Sequence, residues 1–192
     1  MTGKLILVEG VDGSGKSTLI EGLKYRGIYD YLFNYSFPKE AETFQCGAFA
    51  KGEYFASIRI FKQLLARDYT IVCDRFHLGE YAYGVVKRNY PLWFAENIMS
   101  NTEELICKEL GLKYVYLIVL FTNPITAFNR RREAKKEYLE DKSEYYAVND
   151  RYLLAFSNSI LNKIGLQTCS LDYNNKPERI LEVILRWINK EK

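Results

Sequence analysis

The stretch "ILVEGVDGSGKST", Ile6 to Thr18, constrains this chain more than any other. An apolar run ends in Glu9, a glycine-rich turn follows, and then come a lysine and two hydroxyls. Gly10 to Ser17 satisfy the pattern G-x-x-x-x-G-K-[ST]. Glycines let successive backbone amides turn inward around phosphate oxygens. A helix opening at Lys16 would aim the positive end of its dipole at the same point. The spacing therefore predicts a strand, a phosphate-cradling loop and a helix. Gly10, Gly13, Ser14, Gly15, Lys16, Ser17 and Thr18 would bind the nucleotide triphosphate. Within this set the Lys16 ammonium would reach the β and γ phosphates, and the Ser17 hydroxyl would ligate a magnesium ion. One residue looks out of place, because Asp12 puts a carboxylate inside a loop built for anions.

The rest of the chain alternates apolar runs with segments of helical period. Strands are predicted at Lys4–Glu9, Tyr31–Phe37, Tyr69–Asp74, Tyr114–Phe121 and Leu166–Asp172. Helices are predicted at Lys16–Tyr25, Tyr54–Arg67, Pro91–Leu110, Ile125–Glu140, Glu144–Ile164 and Pro177–Lys190. Such alternation implies a mainly parallel sheet covered by helices on both faces, with ligands beyond the carboxyl ends of the strands. No repeat or low-complexity linker divides the 192 residues, so a single domain over 1–192 is expected.

Composition narrows the function classes. The formal net charge of +3 suits anionic small molecules and does not point to a nucleic-acid binder. Cys46, Cys73, Cys107 and Cys169 lie far apart, so free thiols are expected rather than a zinc site or a disulfide framework. The apolar run Tyr114–Phe121 is too short to span a bilayer, and the N-terminus lacks the shape of a signal peptide. The expectation is a cytoplasmic protein with no membrane partner.

A phosphate loop serves GTPases, motor ATPases and kinases alike. No guanine-reading N-K-x-D follows a late strand, and no strand ends in Asp-Glu. The third strand instead ends in "CDRF". Asp74 can hold magnesium or polarise a hydroxyl, and Arg75 can hold a second, accepting anion. The segment after the fourth strand, "NPITAFNRRREAKKEYLED", carries Arg130, Arg131 and Arg132, about 100° apart around a helix. One or two of them can face a transferring phosphoryl group as part of a lid at about 125–145. His77, the only histidine, is expected to be a hydrogen-bonded structural residue.

"EGVDGSGKST" followed by "DRF…AYG" resembles the thymidylate kinases, P-loop enzymes that phosphorylate dTMP with ATP and magnesium. The resemblance is specific over the first 90 residues and loose after Pro124. It implies a three-layer P-loop fold with a five-stranded parallel sheet and a helical lid. It gives Asp12 the sugar 3′-hydroxyl of the acceptor. It assigns Phe55 and Arg59, one helical turn apart, to the base by stacking and by donation to a carbonyl. It places Phe37 and Lys39 of "SFPKE" beside the acceptor phosphate, with lysine where the family carries an arginine nearby. The family's catalytic arginine comes from the phosphate loop or from the lid. Gly13 and Ser14 stand at the loop position, so the resemblance points to Arg130 and Arg131. It also allows a homodimer.

Two alternatives stay open. Deoxynucleoside kinases share the Asp-Arg strand end and need a base after the second strand, near Glu40. The Lys39–Glu40 departure leaves room for a modified pyrimidine nucleotide as acceptor. A non-catalytic nucleotide binder would keep the loop without the acceptor residues.

Overall fold

The computed structural model describes residues 3–35, 44–134, 139, 141–161, 163–167 and 177–189. Five strands form one parallel sheet: β1 (Leu5–Glu9), β2 (Tyr31–Asn34), β3 (Ile71–Asp74), β4 (Val115–Phe121) and β5 (Lys163–Gln167). Their order is β2-β3-β1-β4-β5. Every residue of β1 and β4 is buried, which is why these strands read as unbroken apolar runs. β2 lies at an edge and is largely exposed.

Among the described residues, seven α-helices cover the sheet: α1 (Lys16–Tyr25), α2 (Phe44–Leu65), α3 (His77–Lys87), α4 (Leu92–Glu109), α5 (Pro124–Glu133), α6 (Lys142–Asn158) and α7 (Pro177–Asn189). Alternate strand residues face opposite layers. Leu5, Leu7, Val115, Leu117 and Val119 pack with Tyr54, Tyr81, Ile98 and Tyr145 of α2, α3, α4 and α6. Ile6, Val8, Tyr116, Ile118 and Leu120 pack with Leu19 and Leu23 of α1 and with Ile184 and Ile188 of α7. The chain leaves β1 toward β3 and β2 on one side, then returns to β4 and β5 on the other. The reversal opens a crevice beyond the carboxyl end of β1, where the glycine loop begins.

Several boundaries differ from the expectation. α3 was not predicted at all. α2 starts ten residues earlier than its apolar spacing suggests. α5 ends at Glu133, short of Glu140. α6 begins at Lys142, where the Asp141 carboxylate accepts from the Glu144 amide at 3.0 Å. It stops at Asn158 rather than Ile164, because Lys163 Nζ donates to the carbonyls of Phe156 (2.6 Å), Ser157 (3.1 Å) and Ser159 (2.8 Å). β5 therefore starts at Lys163, and residues 168–172 of the predicted strand lie outside the described residues. Cys73 is a buried free thiol and Cys107 a half-buried one. No helix among the described residues is long and apolar enough to cross a membrane.

Candidate active site

The glycine loop joins the end of β1 to α1. Gly10, Gly13 and Gly15 all have positive φ, at 140°, 82° and 99°. Two of them are also crowded. A Cβ at Gly10 would lie 2.4 Å from the Leu120 carbonyl oxygen, and one at Gly13 would lie 2.6 Å from that of Ala127. The loop is thus wedged between β4 and α5. Gly15 caps α1 without any side-chain hydrogen bond, and the first turn holds no acid. The first amides of α1 and the positive end of its dipole are left for an anion.

Lys16 is buried, and its Nζ donates to the carbonyls of Gly10 (2.7 Å) and Val11 (3.0 Å). Burial pushes its pKa down to about 8, while the charges of Asp74 and Glu9 act the other way and Arg131 adds to the depression. Lys16, Asp74 and Arg131 therefore feel one another across the loop. Ser17 and Thr18 are exposed at the mouth, and Ser14 is buried.

Asp74 closes β3 opposite Val8 of β1. Its Oδ1 is buried and accepts no hydrogen bond among the described residues. Burial raises its pKa, and Lys16 partly offsets that. Arg75 follows in the left-handed region at φ 65°, a conformation that costs a non-glycine residue about 1–2 kcal/mol. Its Nη2 donates to Asp12 Oδ1, and its guanidinium lies 5.5 Å from the centre of the Tyr83 ring. The Asp12 amide donates to the Tyr83 hydroxyl at 3.0 Å. The loop acid is therefore paired with the strand-end arginine.

From α5, Arg130 Nη1 donates to the Gly13 carbonyl at 3.0 Å. Arg131 is half-buried, and its Nε is buried without a hydrogen-bond partner among the described residues. Arg132 is exposed. Two of the three arginines thus lie against the loop. Residues 135–138 and 140 of the expected lid lie outside the described residues.

Phe55 and Arg59, the residues expected to read the base, both lie on α2. Phe55 is half-buried, with Lys51 Nζ 5.5 Å from its ring centre. Arg59 is exposed, and its charge acts on Glu109, which Lys62 Nζ also bonds at 2.8 Å. Glu109 ends α4, shortly before β4 begins. On α2 it is Tyr54 that reaches the site's floor, its hydroxyl donating to the Phe76 carbonyl at 3.1 Å. Phe37, Lys39 and Glu40 lie outside the described residues. His77 is fully buried, and its Nε2 lies 2.9 Å from Glu103 Oε1, a structural contact as expected.

Sequence reasoning overlooked Tyr83 and Glu9. Glu9 is fully buried, and one of its oxygens accepts from the amides of Phe76 (2.8 Å), Leu78 (3.1 Å) and Gly79 (3.3 Å). Its signal was available, since a single acid ends the otherwise apolar "LILVE".

A five-stranded parallel sheet in this order, with a glycine loop between β1 and α1 and an Asp-Arg step closing β3, is a fold that solved kinase structures also show. YorR from Bacillus subtilis, solved in complex with phosphorylated GDP, is similar over 98% of this chain and 97% of its own, with a TM-score of 0.70 and 20% identity. Deoxyadenosine kinase from M. mycoides, with the products dCMP and dCDP bound, is similar over 98% of this chain and 100% of its own, with a TM-score of 0.55 and 20% identity. The same kinase with bound dCTP gives a TM-score of 0.56. No family model matches the chain, and no curated protein matches it. These likenesses show the fold, and the resemblance to thymidylate kinases rests on the sequence motifs.

Proposed function

We propose that this chain is an ATP-dependent kinase of a deoxynucleoside monophosphate, with dTMP the first acceptor to test. The observation that carries this reading is the Asp12–Arg75 pair. A guanidinium held in a strained backbone beside the phosphate loop suits an acceptor phosphate, and the acid against it suits a sugar hydroxyl. The acceptor phosphate oxygen attacks the γ-phosphorus of ATP, the bond to the β-phosphate oxygen breaks, and ADP leaves. The loop amides and Lys16 hold the donor. Arg130 and Arg131 would neutralise charge on the transferring group.

The residues present fit a magnesium ion. Asp74 offers a buried carboxylate oxygen with no hydrogen bond among the described residues, Ser17 offers an exposed hydroxyl, and both are hard oxygen donors. Bound there with the nucleotide, magnesium would offset charge on the β and γ phosphates.

The likeness to a deoxyadenosine kinase favours a second reading, in which the acceptor is a deoxynucleoside. ADP release measured against deoxynucleosides, their monophosphates and modified pyrimidine monophosphates separates the two. Turnover with a monophosphate and not with its nucleoside is expected. Turnover with nucleosides alone would replace the proposal by the second reading, and no turnover with any acceptor would leave a nucleotide binder. Arg75→Ala is expected to raise the acceptor KM roughly tenfold or more, the scale of a lost hydrogen bond to a charged group.

A further inference from the structure

Glu9 belongs neither to the phosphate-binding pattern nor to the residues that would touch a nucleotide, yet it joins three parts of the site. It ends β1 directly before Gly10. Its Oε1 gathers three amides, those of Phe76, Leu78 and Gly79, at the start of α3. That helix has Phe76 at its N-cap and no capping hydrogen bond of its own, so Glu9 supplies the cap from 67 residues away. Its Oε2 accepts from the Tyr152 hydroxyl of α6 at 3.3 Å.

Arg75 sits inside this arrangement. Its amide donates to the Val8 carbonyl at 2.9 Å, one residue before Glu9, and its carbonyl side leads into the capped turn. Gly79 shows how closely the parts converge. A Cβ there would lie 3.2 Å from the Tyr152 hydroxyl, 3.3 Å from Glu9 Oε2 and 3.7 Å from the Arg75 Cβ. The left-handed backbone of Arg75 is thus braced on one side by β1 and on the other by the amides that Glu9 holds. A strained residue keeps its conformation only when its surroundings over-determine it.

We infer that Glu9 is a positioning residue for the acceptor site: by capping α3 it fixes the turn that aims the Arg75 guanidinium, and Tyr152 fixes Glu9. This rests on the proposed function, in which Arg75 holds the acceptor phosphate. Burial raises the Glu9 pKa, with the charge of His77 and the amide hydrogen bonds of Phe76 and Gly79 acting the other way. A carboxylate is kept here at a cost in desolvation, consistent with a site rather than a plain packing position.

The test is steady-state kinetics with both substrates varied, on the parent and on Glu9→Ala, Glu9→Gln, Tyr152→Phe and Arg75→Ala. Glu9→Ala should raise the acceptor KM at least fivefold and change the ATP KM less than twofold. Glu9→Gln keeps an oxygen that accepts from the three amides and should fall between Glu9→Ala and the parent. Tyr152→Phe should shift the acceptor KM in the same direction by a smaller factor. A role in folding alone would lower the melting temperature and leave the acceptor KM of the folded fraction unchanged, or move both KM values together. Either result overturns the inference. If Glu9→Ala does not fold, Glu9→Gln and Tyr152→Phe decide, and an unshifted acceptor KM in both overturns it. Arg75→Ala separates the two claims. If it raises the acceptor KM and the Glu9 variants do not, only the positioning role falls. If it has no effect, the acceptor site itself has been misassigned.

Discussion

At Lys16 the fold keeps an ammonium out of water, surrounded by loop carbonyls. Its pKa falls from the ordinary 10.5 to about 8, mainly through burial. Between those values the unfolded chain binds the proton and the folded chain does not, so stability rises with pH across that window. Below about pH 8 the cost of burying the cation is present in full, on the order of 3 kcal/mol at 1.36 kcal/mol per unit. Triphosphate oxygens favour the ammonium and draw the pKa back up. Affinity for ATP should therefore be greatest below pH 8 and weaken above it. Thermal melts with and without saturating ATP check this, and the gain in melting temperature is expected to shrink between pH 7 and 9.5. Lys16→Ala should lower turnover by roughly 10²-fold or more while the protein stays folded.

At this same scale, what the sequence could show depended on distance along the chain. The strand, loop and helix around Gly10 to Ser17 were legible because the whole motif lies in one short stretch of chain. The Asp12–Arg75 pair was not, because the residues stand 63 positions apart and meet only when β1 and β3 pair. For Phe55 and Arg59 the one-turn spacing was right, but the spacing cannot say which end of α2 faces the crevice. Arg59 is exposed, and its charge acts on Glu109.

Among the elements, α3 was the one the sequence concealed. "HLGEYAYGVVK" holds two glycines and several aromatic and β-branched residues, all modest helix formers. Its first eight residues are buried, and its cap comes from Glu9. A helix rich in weak helix formers and capped from a distant strand leaves little local trace. α5 shows the opposite case. Asn123 accepts from the Ile125 amide at 2.9 Å and Pro124 occupies the first turn, a start signal visible in the sequence. What could not be read is how tightly α5 rests on the glycine loop. The Gly13→Ala change tests that contact. An alanine at φ 82° is strained by about 1–2 kcal/mol. Its Cβ also meets the Ala127 carbonyl at 2.6 Å, and backbone cannot swing aside as a side-chain tip can. The loop and α5 should move apart, breaking the Arg130 bond to the Gly13 carbonyl. ATP affinity measured by titration calorimetry should fall at least tenfold, the melting temperature should drop by a few degrees, and the overall fold should remain.

Across the whole molecule, the sheet was legible because its central strands are buried on both faces and appear as unbroken apolar runs. The layer that covers one face is held by something subtler. Glu103 of α4 is buried, with His77 Nε2 at 2.9 Å on one oxygen. It also accepts from the Ser159 hydroxyl (2.7 Å) and the Ile160 amide (2.9 Å), so one carboxylate ties together the start of α3, the middle of α4 and the chain leaving α6. Burial alone would raise its pKa. The hydrogen bond and charge of His77 and the bonds from Ile160 and Ser159 more than offset that, leaving it below the ordinary 4.5. Its stabilisation is therefore present above the unfolded value and lost as pH falls through the lower folded one. Glu103→Ala would strand buried His77 and Ser159 and the part-buried Ile160 amide around a vacated site, so a loss of about 3–5 kcal/mol is expected. For a chain of this length that corresponds to a fall in melting temperature of roughly 6–20 °C. The three helices share one core with the sheet, so the melt followed by far-ultraviolet circular dichroism should stay a single transition. A drop of less than about 2 °C, or a separate early transition, would show that the helical layer does not depend on this carboxylate.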